Sequence, residues 1–363
     1  KIRLFEHGAP GSQNLKLTRK YYTEDMPDGR VKHIVQNITD PDIVPYIPDG
    51  IGNSTDRQRI PAVLIIPGGA FRRLVYNFEG EDVAKWLNSM GIAAFVLECR
   101  LPSDEHDNAE DVPLIDAMRA MRVIRGRAQE FGIDEAKIGV MGFSAGGFMA
   151  ALLSTAYESD VYADYKYKDE YDKLSARPDF AVCSYPVISI DDCIEAGKRY
   201  MSEEQVLERI SDSKAKILHK YNPDKLVRPD MPPVFICETD DDRTTLSENS
   251  VGFYMAARKA GVSAELHIFR TGGHGYGCGD DFSQTGKYFL QSGLRVLELL
   301  VKMDIVYEDK DKIILNMPVA GDGKYGGNMA VQAAERIKGI RIKRGCIALC
   351  AVTQSVCRGD GFD

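Results

Sequence analysis

The chain has 363 residues, 44% of them hydrophobic, enough to bury a sizeable core in one large α/β domain or two small ones. Its formal net charge of −8 and pI near 5.4 give a surface that repels phosphate backbones and anionic lipid, which argues against nucleic-acid and membrane-surface partners. No apolar run is long enough to span a bilayer and no signal-peptide core is visible, so the expected location is cytoplasmic. Lys1 in place of an initiator Met leaves a processed, secreted form open.

Residues 1–60 are rich in Pro, Gly, Asp and Asn and read as a strand or two joined by loops. The pattern then becomes regular. Pro61–Ile66 is a short apolar run that ends in Pro67-Gly68-Gly69, a buried strand followed by a tight turn. Glu79–Met90 has helical spacing, with Val83, Trp86 and Leu87 on one face. Ile92–Leu97 reads as a strand, and Val112–Phe131 as one long amphipathic helix. Ile138–Phe143 is a strand and Ala145–Ala156 a helix of small and apolar residues. Phe180–Tyr185 and Val234–Cys237 are two more strands, separated by a charged, helical insertion at about 190–230 with a break at Asn222-Pro223. Ser247–Ala260 is a helix, Ala264–Phe269 a strand and Phe282–Met303 a final helix. Strands that alternate with helices, several of them continuously apolar, indicate a mostly parallel sheet covered on both faces.

Of the eight cysteines, Cys99, Cys183 and Cys237 sit inside apolar runs and read as reduced core residues. Residues 304–363 form a C-terminal extension of unknown role. It is locally basic, with Lys324, Arg336, Lys338, Arg341, Lys343 and Arg344 against Glu335, and carries Cys346, Cys350 and Cys357. No histidine lies near these three and their spacing does not suit zinc, so no metal site is expected there; an oligomer contact is one plainer reading.

The sharpest local signal is Gly142-Phe143-Ser144-Ala145-Gly146, which follows a strand and opens a helix. That is the setting a G-x-S-x-G nucleophile elbow requires: a tight, strained turn flanked by small residues, with the serine beside a helix N-terminus. A plain Gly/Ser turn would share the pentapeptide but not the strand before it and the helix after it. The elbow makes Ser144 the candidate nucleophile and the Ala145 N–H an oxyanion donor. A second donor is expected from the Pro67-Gly68-Gly69-Ala70 loop; Gly69 is favoured, with Gly68 or Ala70 as alternatives.

A serine hydroxyl needs a base. There are six histidines. His7 and His33 precede the sheet, His106 lies upstream of the serine, His219 is in the insertion, and His267 is expected to be packed within a strand. His274, in a Gly-rich loop after the last strand, fits the chain order serine, acid, histidine. The acid should follow the preceding strand, where Asp240-Asp241-Asp242 leaves Asp241 and Asp242 both open.

The chain resembles the acetyl-xylan-esterase-like, or xylanase-B-like, bacterial esterases of the α/β-hydrolase superfamily, from about residue 4 to 303. The segments that carry the likeness are LFEHGAPGS, IPGGAF, FEGEDVAKWLNSMGIAAFVLECRLP, IGVMGFSAGGFMAALLS, RPDFAVCSYPVIS, PPVFICETDDDR and GVSAELHIFRTGGHGYG. The resemblance implies an α/β-hydrolase fold with a catalytic domain at 1–303. It also implies Ser144 as nucleophile, His274 as base and, through the T-x-D-D motif, Asp242 as acid. The activity it implies is hydrolysis of a carboxylic ester on an oligosaccharide or small molecule, acetylated xylan first, without cofactor. Feruloyl or other aryl esters are the near alternative. A prolyl-oligopeptidase-type peptidase lacks its propeller repeats here, and a non-catalytic binding module would have no use for three intact catalytic residues. Ala70 stands where a third glycine is usual, Phe148 where His is common, and Arg243-Thr244-Thr245-Leu246 where a Pro/Val-rich run is usual.

Overall fold

In the computed structural model the chain is described over residues 1–277, except residue 28 and residues 50–58, 200, 201, 203 and 206–212. The strands in chain order are β1 (Ile2–Arg3), β2 (Lys20–Asp25), β3 (Val31–Gln36), β4 (Asp42–Tyr46), β5 (Ile60–Ile66), β6 (Leu74–Val75), β7 (Ala93–Glu98), β8 (Ile133–Phe143), β9 (Ala181–Ser184), β10 (Val234–Thr239) and β11 (Ala264–Phe269). The α-helices are α1 (Asp82–Ser89), α2 (Val112–Gly126), α3 (Ala128–Phe131), α4 (Ala145–Ala156), α5 (Ile190–Lys198), α6 (Ser213–Lys220) and α7 (Ser247–Lys259).

Eight strands form one sheet in the order β1-β4-β7-β5-β8-β9-β10-β11. β1 and β4 join antiparallel at one edge, and every pairing from β7 to β11 is parallel. β5 shows why the apolar run reads as a buried strand. Ala62, Leu64 and Ile66 face one core with α2 and α4, whereas Val63 and Ile65 face a second core with Val83 and Leu87 of α1. Alternate side chains thus enter opposite cores, so both faces of the strand must be apolar. The α/β-hydrolase architecture read from the sequence is the one observed.

Three local expectations are corrected. Among the described residues before β5 there are four strands, not one or two: β1 and β4 extend the main sheet, and β2-β3 pair with β6 in a separate antiparallel sheet. The helix expected over Val112–Phe131 is two, α2 and α3, because Arg127 leaves helical geometry straight after Gly126, the weakest helix former beyond the first turn. Gly126 has a packing role as well, since a Cβ there would sit 2.3 Å from the Tyr171 ring. β8 begins five residues before the expected Ile138. The helix expected at Phe282–Met303, Cys278 and the extension at 304–363 lie outside the described residues.

The parallel strands point their C-terminal ends to one side of the sheet. β5 runs into the Gly68-Gly69 loop, β8 into Ser144, β10 into Asp240-Asp241-Asp242, and β11 into the loop that carries His274. Residues far apart in sequence therefore meet along a single edge, the usual place for a site in such sheets.

Candidate active site

Ser144 sits between β8 and α4 with φ 53° and ψ −117°, a strained conformation for a residue with a Cβ. Its flanking glycines are forced by close backbone approach. A Cβ on Gly142 would lie 2.0 Å from Gly146 O, and one on Gly146 would lie 2.0 Å from Ile66 O. No larger residue fits either place, so the strand and helix can meet at an angle that turns the Ser144 side chain out of the sheet.

Ser144 Oγ lies 2.8 Å from His274 Nε2, and His274 Nδ1 lies 2.6 Å from Asp242 Oδ2. Asp242 is 3% exposed. Burial works against its charge. The His274 hydrogen bond and, whenever the ring is protonated, its charge, with the N–H groups of Thr245 and Thr244, outweigh that and hold the carboxyl below its ordinary range. An ionised carboxylate only accepts, so Nδ1 carries the ring proton and Nε2 is left to accept from Ser144. Asp242 is fixed on its other side too. Oδ1 accepts from the N–H of Thr244 at 2.7 Å and of Thr245 at 2.9 Å, and Oδ2 accepts from Thr245 Oγ1 at 2.9 Å.

Of the two aspartates left open by the residue pattern, Asp242 is the one beside the imidazole. Asp241 Oδ1 instead accepts from the backbone N–H of Gly272 and Gly273, 2.8 Å each, just before His274 in the chain. His267 is half-buried in β11, stacked on Phe235 at 5.3 Å and 2.7 Å from Glu265, away from this line. His106 is buried against Ser12.

The Gly68-Gly69 loop lies against the elbow; a Cβ on Gly68 would come 2.5 Å from Phe143 O and 3.0 Å from Ser144 Cβ. Gly68, named with Gly69 as an oxyanion donor, spends its N–H on Glu79 Oε2 at 2.8 Å and is turned away from the role. The Gly68 carbonyl accepts from Val75 N at 2.9 Å. Across a trans peptide the C=O and the next N–H point in opposite directions, so Gly69 N–H aims away from Val75. The Ala145 N–H belongs to the first turn of α4 and has no intrahelical partner. Ala70 and Phe71 follow with φ of 58° and 61°, so Ala70 takes the left-handed conformation despite its Cβ.

Four site residues were not read from the sequence: Glu79, Tyr185, Thr244 and Thr245. Glu79 and Tyr185 meet across 106 positions of chain, and Thr244 and Thr245 bond the neighbouring Asp242 mainly through main-chain N–H groups, which no motif marks. Among the described residues no group of three or more His, Cys, Asp or Glu is arranged to hold a metal. Cys99, Cys183 and Cys237 are free and buried; desolvation pushes Cys237 up to about 11.

The model of the BD-FAE family matches residues 51–256. The chain belongs to the BD-FAE family. It is 31% identical over 223 residues to "Acetylxylan esterase" of Xylanibacter ruminicola, a match covering 61% of this chain and 42% of that protein. It is also 31% identical over 245 residues to "Endo-1,4-beta-xylanase B" of Butyrivibrio fibrisolvens, covering 66% of this chain and 37% of that protein. The chain thus spans about two fifths of the length of these curated relatives. Among solved structures it is similar to the acetyl ester-xyloside bifunctional hydrolase from Caldicellulosiruptor lactoaceticus, with 32% identity and a TM-score of 0.60, covering 84% of this chain and 97% of that one. A carboxylesterase from Lactobacillus plantarum WCFS1 shares the fold, with 18% identity and a TM-score of 0.60, covering 81% of this chain and 100% of that one.

Proposed function

We propose that the chain is a serine carboxylic-ester hydrolase that removes acetyl groups from xylan-derived carbohydrate. The observation that carries this reading is the continuous line from Ser144 Oγ through His274 to the buried Asp242. In the first half-reaction His274 Nε2 takes the Ser144 proton as Oγ attacks the ester carbonyl. The N–H groups of Gly69 and Ala145 hold the oxyanion, and the alcohol leaves with the proton from His274. In the second, His274 takes a proton from water, the resulting hydroxide attacks the acyl-enzyme, and the carboxylic acid departs as Ser144 regains its proton. Asp242 keeps the imidazole in the productive tautomer throughout. The cycle calls for neither a metal nor an organic cofactor.

The acetyl preference rests on the relatives named for acetyl esters and xylan. A cleft of about 670 Å³, lined by Arg125, Glu135, Tyr171 and Arg177, lies by the N-terminal ends of β8 and β9 and touches none of the three catalytic residues.

Ser144→Ala should cut turnover of p-nitrophenyl acetate by about 10⁴-fold or more and abolish labelling by a fluorophosphonate, with the fold retained. Near-wild-type turnover by that variant would defeat the reading. Acetylated xylo-oligosaccharides should be cleaved far faster than feruloylated ones, and the reverse order would overturn the substrate assignment alone.

A further inference from the structure

Glu79 is a buried carboxylate that the acyl-transfer chemistry does not itself use. It lies in a short turn, Asn77–Glu81, before α1, is 5% exposed, and makes no ion pair among the described residues. Burying a charge that way is unfavourable unless hydrogen bonds hold it. Two do. Oε2 accepts from Gly68 N–H at 2.8 Å, and Oε1 accepts from the Tyr185 hydroxyl at 2.9 Å. The same hydroxyl accepts from Gly277 N–H at 3.0 Å, just beyond His274, and the Tyr185 ring meets the His274 ring edge-on at 5.1 Å. Tyr185 follows β9 with φ 37°, held there by its N–H to Cys237 O at 2.7 Å.

We infer that Glu79, with Tyr185 behind it, is a positioning residue that sets the direction of the Gly69 N–H and ties that loop to the His274 loop. Both peptide planes flanking Gly68 are pinned, one by Glu79 at the N–H and one by Val75 at the carbonyl. Gly69 N–H is thereby aimed before any substrate arrives, which is what makes an oxyanion donor effective. A carboxylate is the strongest available acceptor for the Gly68 N–H, because a charged partner roughly doubles the hydrogen bond. Tyr185 fixes the carboxylate from its far side and holds Gly277 with the same oxygen. Neither side chain touches the reacting atoms. This inference rests on the ester-hydrolase reading above.

The test is Glu79→Gln, Tyr185→Phe and the double variant in the full chain, assayed on p-nitrophenyl acetate beside Ser144→Ala. Glu79→Gln keeps the shape and removes the charge. Its kcat should fall about tenfold with KM within about twofold of wild type, because the loss falls on the transition state. Its Tm should be unchanged or higher, since a buried charge has been removed; a residue that only supported the fold would lower Tm and kcat together. Tyr185→Phe should lower kcat about threefold, and the double variant should fall little below Glu79→Gln, since both side chains act on one loop. Wild-type kcat in Glu79→Gln overturns the inference, as do losses that multiply in the double variant or that track Tm. Should Glu79→Gln fail to fold, Tyr185→Phe decides, and an unchanged kcat there overturns it. An active Ser144→Ala would instead sink the hydrolase reading, so the two failures are distinguishable.

Discussion

Asp241 and Asp242 are neighbours in the chain yet grip different parts of the His274 loop: Asp242 binds the imidazole through Nδ1, and Asp241 binds the backbone N–H groups of Gly272 and Gly273. One orients the ring and the other anchors the loop on which the ring rides. The division separates two kinds of defect.

Asp242→Asn should lower kcat by about 10³- to 10⁴-fold, because an amide can present N–H to Nδ1 and force the wrong tautomer. Asp241→Asn keeps an acceptor oxygen and should cost about twofold or less, whereas Asp241→Ala frees two N–H groups and should cost about tenfold. Steady-state kinetics on p-nitrophenyl acetate checks all three. An Asp241→Asn as damaged as Asp242→Asn would exchange the two roles.

Glu238, at the end of β10, is fully buried, and desolvation followed by the nearby charge of Asp242 pushes its carboxyl well above the ordinary range. A carboxyl raised by folding favours the native state at low pH. That contribution fades as pH climbs from the unfolded value towards the folded one. Glu238→Gln should therefore gain stability relative to wild type at pH 8, by about 1 kcal/mol, and gain less at pH 4.5, as read by urea unfolding. An equal gain at both pH values would contradict the assignment.

His106 has the opposite sign. Ser12 Oγ accepts from Arg100 at 2.8 Å and so donates to His106 Nδ1 at 3.0 Å, while Nε2 is buried without a partner among the described residues. Burial, then the Arg100 charge, lower the imidazole to about 4. Stability should thus be complete above the unfolded value near 6.5 and be lost as pH falls towards 4, a slope worth on the order of 2 kcal/mol after solvent screening. His106→Phe should flatten that slope in denaturant titrations between pH 7 and pH 4.5, and an unaltered slope would assign it to other groups.

Arg100 and Asp116 form an ion pair of 2.7 Å with both side chains fully buried. Arg100 also donates to the Pro10 carbonyl, so the pair anchors the N-terminal segment to β7 and α2. Asp116→Ala leaves an uncompensated buried cation and should cost about 3–5 kcal/mol, measured by chemical unfolding. A cost under about 1 kcal/mol would mean that water or a relaxed backbone reaches the guanidinium.

Much of the site could be read along the chain because its markers are local. The Ser144 elbow is written in glycines whose side chains would collide, and β5, β8 and α4 announce themselves by continuous or periodic apolar residues. His274 followed from elimination among six histidines and from its place in a loop after the last expected strand. What escaped was set by remote partners. Glu79 and Tyr185 are 106 positions apart and meet only once the sheet is assembled. The N-terminal strands β1 and β4 were hidden for a different reason: β1 is a two-residue edge strand, and β4 is covered by it only at Asp42 and Ile43, so Pro45 falls where that side of the strand is unpaired and a proline is tolerated. Choosing Asp242 needed the family likeness, because three consecutive aspartates give no periodic clue and only the folded loop separates them.

The separation of 130 positions between Ser144 and His274 has a consequence for synthesis. Strands β5, β7 and β8 can associate while the ribosome is still translating, and the serine can reach its strained turn early. The histidine arrives only after β11 has aligned beside β10, and Gly277 must follow before Tyr185 is fully bonded. Under the proposed mechanism a nascent chain should therefore be catalytically silent until β11 docks. Ribosome-arrested products ending before residue 274 should fold in part and hydrolyse nothing, which would make the emergence of esterase activity a direct clock for the docking of β11.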